Sequence, residues 1–349
     1  MSSRDRKRLL VSVALGVLLG LVAVSAFMRW QENSVDASQA RAWRAQTSLT
    51  EPCAEKSPYL AALRQLPDAP RPITSEELRQ AIRDKTRHDV SSNTRYPSRE
   101  LGTEILWSLN LRKLFEGAPG SALSVRVTAK QDQGSYWREE LRLSDPVVGE
   151  FSMLLLVPKA AQPVPVVVGL HGHGNTSSGV DFARAFRMDD LVDRGIAVAA
   201  PTFRAMCADE TENEVTRAYL ARGYCFIGMR VYETRLCLAY LRSRPDLAPE
   251  QIGLIGHSGG SAIGNLVIRL ERGIRAYVPD MTSEYNATRG NLFLDEMCPE
   301  LSPYASAIAD FDTARMTVLP MPYGFKAPVG GSDLLPEVFS FFERRLLAD

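Results

Sequence analysis

The sequence predicts an α/β chain: a mostly parallel sheet flanked by helices, shortened at its C-terminal edge, with a helical N-terminal extension and a transmembrane helix ahead of it. Three observations carry this. Short apolar runs alternate with helix-like stretches from Leu123 onward, a Gly-His-Ser-Gly-Gly turn follows one of those runs, and an uncharged apolar run extends from Leu9 to Met28.

The N-terminal segment comes first. Arg4, Arg6, Lys7 and Arg8 precede Leu9–Met28, which as a helix at about 1.5 Å per residue matches a hydrocarbon core of about 30 Å. The basic cluster places residues 1–8 in the cytoplasm and the body beyond the membrane, in the periplasm of a Gram-negative cell. Val24-Ser25-Ala26 is also a small-x-small site, so the alternative is a cleaved signal peptide and a secreted body.

Residues 29–72 are polar and interrupted by prolines, as in a stem. Residues 73–120 read as a helical extension: Thr74-Ser75-Glu76-Glu77 forms a capping box opening a helix toward Thr86, and a second helix runs from Glu100 to Phe115 with Gly117 as its stop. The α/β body is 121–349.

Within the body, Leu123–Val127 and parts of Tyr136–Leu143 alternate apolar and polar residues, and Phe151–Val157 is continuously apolar. That pattern predicts antiparallel edge strands leading into a buried one. Val164–Leu170, Ile196–Ala200, Ile252–Ile255, Ala276–Val278 and Met316–Met321 are the later strand candidates. Arg230–Arg242 reads as a helix with Val231, Leu238 and Leu241 on one face, and Phe339–Leu347 as a closing helix facing inward with Phe339, Phe342 and Leu346.

Charge excludes one class of partner. With 41 basic against 41 acidic residues and no basic stripe, nucleic acid is not an expected ligand. Five cysteines in an exported chain allow disulfides. Cys207 and Cys225 flank a polar, acidic segment that a bridge would staple as a loop, or they are small buried hydrophobes, as Cys237 is on its helix.

The chemistry centres on Gly256-His257-Ser258-Gly259-Gly260. A tight strand-to-helix turn exposes the Ser258 hydroxyl, and glycines at 256 and 260 permit the turn. Gly259 N–H is the first candidate oxyanion donor. The second is the backbone of His173, in the His171-Gly172-His173-Gly174 loop that follows the Val164–Leu170 run. The alternative is a Gly-rich βα turn without catalytic function.

These elements, with Ala200-Pro201 through Arg204 and Gly228–Leu241 leading into Ser243-Arg244-Pro245, resemble the α/β-hydrolases. The pattern is similar to acetyl-xylan-esterase-like and dienelactone-hydrolase-like bacterial carboxylesterases, over about Leu141 to Asp280. The resemblance implies ester hydrolysis through an acyl-Ser258 intermediate, on a small-molecule or glycan ester, with no metal and no organic cofactor.

It also implies two further strands after Asp280, the first followed by the acid and the second by the histidine. Here no histidine follows Ser258, and one strand candidate remains. If Met316–Met321 is the penultimate strand, Pro322-Tyr323-Gly324-Phe325 is the acid loop; if it is the last, Tyr323 replaces the base.

The four histidines enumerate the remaining bases. His257 is expected to turn back into the sheet, His171 to anchor the oxyanion loop through a hydrogen bond, and His88 to face solvent in the extension. His173 lies nearest Ser258 and is the candidate base. Asp280 is the candidate acid and Glu284 the second, though Asp280 as a simple cap is an equal reading. Asp310 and Asp312 belong to the connection before the last strand.

Without a base, a serine triad loses about 10^6-fold in turnover. The sequence therefore supports two functions: a membrane-anchored extracytoplasmic serine esterase with a non-standard triad, or a hydrolase-derived pseudoenzyme that binds or scaffolds.

Overall fold

β-Branched and leucine-rich runs bounded by Gly, Pro and Asp form eight strands among the described residues. In the computed structural model the described residues are 57–66, 122–173, 178–206, 209–222, 224, 226–280, 317–319, 321 and 334–347, all within the unit Ser48–Asp349. The expected Leu9–Met28 anchor, the helices at 74–86 and 100–115, Gly174, Cys207, Cys225, Tyr323, His88, Glu284, Asp310 and Asp312 lie outside them. Among the described residues no helix is long and apolar enough to cross a membrane.

The strands are β1 (Ser124–Asp132), β2 (Tyr136–Asp145), β3 (Gly149–Pro158), β4 (Val164–Leu170), β5 (Ala197–Pro201), β6 (Leu247–Gly256), β7 (Ile274–Pro279) and β8 (Thr317–Val318). They form one sheet in the order β1-β2-β3-β5-β4-β6-β7-β8. β1, β2 and β3 pair antiparallel, and β3 joins β5 antiparallel. From β5 through β8 all pairings are parallel.

The alternating pattern of β1 and the continuous apolar run of β3 have the expected consequence. β1 is an exposed edge strand, while β3, β4 and β5 are buried along almost their whole length.

The helices are α1 (Ser57–Gln65), α2 (Gly179–Ala185), α3 (Asp189–Val192), α4 (Asp209–Ala221), α5 (Ile227–Ser243), α6 (Gly259–Leu270) and α7 (Leu335–Leu346). α7 buries Phe339, Phe342 and Leu346 as its spacing predicts. Gly253 on β6 is what admits Phe342, since a Cβ there would lie 2.8 Å from Phe342 Cε1.

Two elements differ from expectation. The segment expected as a stem contains α1, with Tyr59, Ala62, Leu63 and Leu66 buried in the core. Their i, i+3, i+4, i+7 spacing is a helical stripe, and Pro58 is tolerated because it falls in the first turn. The acidic segment expected as a loop between Cys207 and Cys225 is the helix α4.

α1 and α4 hold each other through polar contacts. Tyr219 Oη donates to Tyr59 O at 2.9 Å, and Arg222 donates to Leu63 O at 2.7 Å and Leu66 O at 3.2 Å. The last carbonyls of α1 thereby gain the partners that a helix C-terminus lacks.

α5 departs from a one-sided stripe. Its polar residues Arg230, Glu233 and Thr234 are as buried as its leucines: neighbouring elements meet the two charged groups with opposite charge, and Thr234 Oγ1 donates to Arg230 O of its own helix at 2.8 Å. Arg204 pairs with Glu233 at 2.5 Å and donates to Val148 O at 2.7 Å and Glu150 O at 2.8 Å; Tyr59 Oη donates to Glu233 at 3.0 Å. A buried charge without such partners would cost several kcal/mol.

Candidate active site

Ser258 occupies the turn between the interior strand β6 and α6. Its backbone is at φ +51°, ψ −121°, a conformation that costs a non-glycine residue on the order of 1–3 kcal/mol and that persists only where its surroundings impose it. The surroundings are close-packed glycines. A Cβ on Gly256 would lie 2.7 Å from Ser261 Cα, and one on Gly260 would lie 1.9 Å from Leu170 O. The loop after β4 thus rests directly on this strand-to-helix turn, the elbow that carries Ser258, and Gly172 completes the contact: a Cβ there would be 2.7 Å from both Ser258 Cβ and His257 O.

The first turn of α6 leaves a donor beside the hydroxyl. Gly260 N–H bonds to His257 O at 2.8 Å and Ser261 N–H to Ser258 O at 2.9 Å. Ser258 N–H is taken by Asp280 Oδ1 at 2.7 Å. Gly259 N–H has no acceptor among the described residues, and it opens the positive end of a twelve-residue helix. That is the geometry an oxyanion donor needs.

Asp280, at the end of β7, is committed to the elbow. Besides Ser258 N–H it contacts His257 Nδ1, accepts from Ser261 Oγ at 3.0 Å, and gives its own N–H to Ser261 Oγ at 3.0 Å. His257 is buried, with its ring centroid 5.3 Å from that of Phe186.

His171 anchors the neighbouring loop. Phe203 N–H donates to His171 Nε2 at 2.7 Å, so the proton sits on Nδ1 and is donated to Gly172 O at 2.9 Å. Burial is the main reason its pKa is pushed down to about 3, so the ring is neutral.

His173 Nε2 contacts Glu212 Oε2 from α4, and Glu212 Oε1 pairs with Arg230 Nη2 from α5. The side chains of Glu212 and Arg230 are 2% and 0% exposed, that of His173 26%. Burial works to raise the Glu212 pKa, but the Arg230 charge and the His173 hydrogen bond outweigh it and hold the carboxyl below its usual range. Arg230 also stacks on the Phe226 ring, 4.6 Å from its centroid.

The carboxylate that meets His173 is therefore Glu212, while the sequence candidate Asp280 serves His257 and Ser258. Neither Glu212 nor Arg230 was singled out as a site residue in the sequence. The available signal was the acidic stretch at 209–214, which has helical length but lies between two cysteines. β8 hydrogen-bonds directly to β7, continued by Leu319 N–H to Tyr277 O and Met321 N–H to Pro279 O, both at 2.9 Å. Of the two alternatives for the Met316–Met321 run, this adjacency favours the penultimate place.

Sheet order, strand directions and the Ser258 turn together define an α/β-hydrolase architecture. No protein-family model matches the chain. Over 137 residues it is 28% identical to "Putative hydrolase YtaP" of Bacillus subtilis (strain 168); the match covers 36% of this chain and 46% of that protein, so the chain spans about half the length of the curated relative it matches.

Among solved structures it is similar to a "putative acetyl xylan esterase" from Bacteroides fragilis NCTC 9343, with 17% identity, TM-score 0.45, and 64% of this chain and 65% of that one covered. It is also similar to acetyl xylan esterase 1 from Thermoanaerobacterium sp. JW/SL YS485, with 13% identity, TM-score 0.44, and 77% of this chain and 98% of that one covered.

Proposed function

We propose that the chain is a serine hydrolase acting on carboxylic esters, with Ser258 as nucleophile and Gly259 N–H as oxyanion donor. The observation that carries this reading is the Ser258 backbone at φ +51° between a buried parallel strand and a helix N-terminus. A strained, half-buried serine there serves acyl transfer, and a plain βα turn has no need of it. The ester-hydrolysing proteins to which the chain is similar support the reaction class, and a small-molecule or glycan ester is the substrate we infer.

The full chain, in detergent, treated with a fluorophosphonate probe and p-nitrophenyl acetate tests it. Labelling at Ser258 and turnover lost in Ser258→Ala are the expected results. Labelling and turnover no greater than in that variant would leave a binding or scaffolding module built on a hydrolase fold.

We further propose that Leu9–Met28 anchors the chain with its body outside the cytoplasm, on the strength of the Arg4–Arg8 cluster before that run. Protease added to intact spheroplasts should degrade the body. Protection until lysis would reverse the orientation.

A further inference from the structure

We propose that His173 is the general base for Ser258 and that Glu212 is its positioning carboxylate, fixed in turn by Arg230. The inference rests on the serine-hydrolase reading above and completes its missing half.

Of the three histidines among the described residues, His171 has both ring nitrogens engaged by backbone groups within the core. His257 is buried, with Nδ1 on Asp280. His173 is partly open to solvent, and it follows Gly172, the residue seated against Ser258 Cβ. Its Nε2 faces a carboxylate, so Nε2 carries the ring proton and Nδ1 is the proton acceptor.

The Glu212–Arg230 pair is informative because it is buried. An ion pair in a core adds little stability over apolar residues of similar volume, whereas a fixed negative charge held against an imidazole orients the ring and stabilises its protonated form. Arg230 keeps Glu212 ionised, and α4, which carries Glu212, is tied to α1 by Tyr219 and Arg222. The other charge in the cluster is the Arg230 guanidinium on Glu212, and His171 beside it is kept neutral by burial.

In the reaction, the Ser258 hydroxyl proton passes to His173 Nδ1 as Oγ bonds to the ester carbonyl carbon. The same proton then leaves with the alkoxide as the ester C–O bond breaks. Water attacks the acyl-serine, giving one proton to Nδ1, and that proton returns to Ser258 Oγ as the carboxylic acid departs.

The test is the pH profile of kcat/KM for p-nitrophenyl acetate on the full chain in detergent, for wild type, Ser258→Ala, His173→Ala, Glu212→Gln and Glu212→Asp. We expect His173→Ala to fall to within tenfold of Ser258→Ala. Glu212→Gln should lose about 10^2-fold and move the acidic limb to lower pH, because an imidazolium loses its neighbouring charge. Glu212→Asp should recover part of the rate and return the limb toward wild type.

Ser258-dependent turnover that survives His173→Ala within tenfold of wild type overturns this inference and leaves the hydrolase reading intact. So does a Glu212→Gln loss with an unmoved limb. Absence of Ser258-dependent turnover in the wild type overturns both. Should the Glu212 variants fail to fold, histidine 15N spectra of the wild type decide: an Nε2–H tautomer at His173 is expected, and an Nδ1–H tautomer refutes the assignment.

Discussion

The two flanks of Ser258 are built on different principles. The elbow flank, β6 to α6 with the loop after β4, is fixed by backbone contact: glycines at 172, 256 and 260 allow chain segments to approach where any Cβ would collide. The His173 flank is fixed by side-chain charge, through a buried Glu212–Arg230 pair supplied by two separate helices. The first arrangement resists changes of pH and fails when volume is added. The second fails when charge is removed.

Ser258→Ala belongs to neither flank and sets the scale: turnover should fall about 10^6-fold, read as kcat against the same ester, with no change in melting temperature. Arg230→Ala breaks the charged flank alone. Leaving Glu212 buried without its cation should cost about 3–5 kcal/mol, measured by urea unfolding. A loss below 1 kcal/mol would mean that solvent reaches the pair.

Gly260→Ala attacks the elbow flank. A methyl 1.9 Å from Leu170 O forces the loop away from the turn, with an expected loss of about 1–3 kcal/mol and of fluorophosphonate labelling. Labelling at the wild-type rate would show that the elbow and the loop are not coupled.

The effect that starts smallest, under about 1 kcal/mol at pH 6, sharpens the comparison through pH. His171 is folded with a pKa pushed down to about 3, against about 6.5 when unfolded, so the unfolded chain takes up the proton first. Its contribution is complete above pH 6.5 and declines as pH falls toward 3, by about 1.4 kcal/mol per pH unit. Unfolding free energies at pH 7, 6 and 5 should follow that slope, and His171→Gln should flatten it.

Much of the sheet was legible in the sequence because parallel, doubly covered strands are continuous apolar runs. Val164–Leu170 matches β4 at both ends, and the elbow residues identify themselves by type and spacing. α1 was not legible, because its four-residue stripe lies among prolines. α4 was hidden because its buried carboxylate is indistinguishable, in sequence, from the solvated acidic residues around it.

By itself the sequence determined the alternating strands and helices, the Ser258 turn, and the loop that lies beside it, because those depend on local periodicity and on glycines at fixed spacing. Only the tertiary structure decided which carboxylate meets which histidine. Asp280 lies 22 residues from Ser258 and Glu212 lies 39 from His173, and ion pairs across such separations are set by how helices pack on a sheet, which no local pattern encodes.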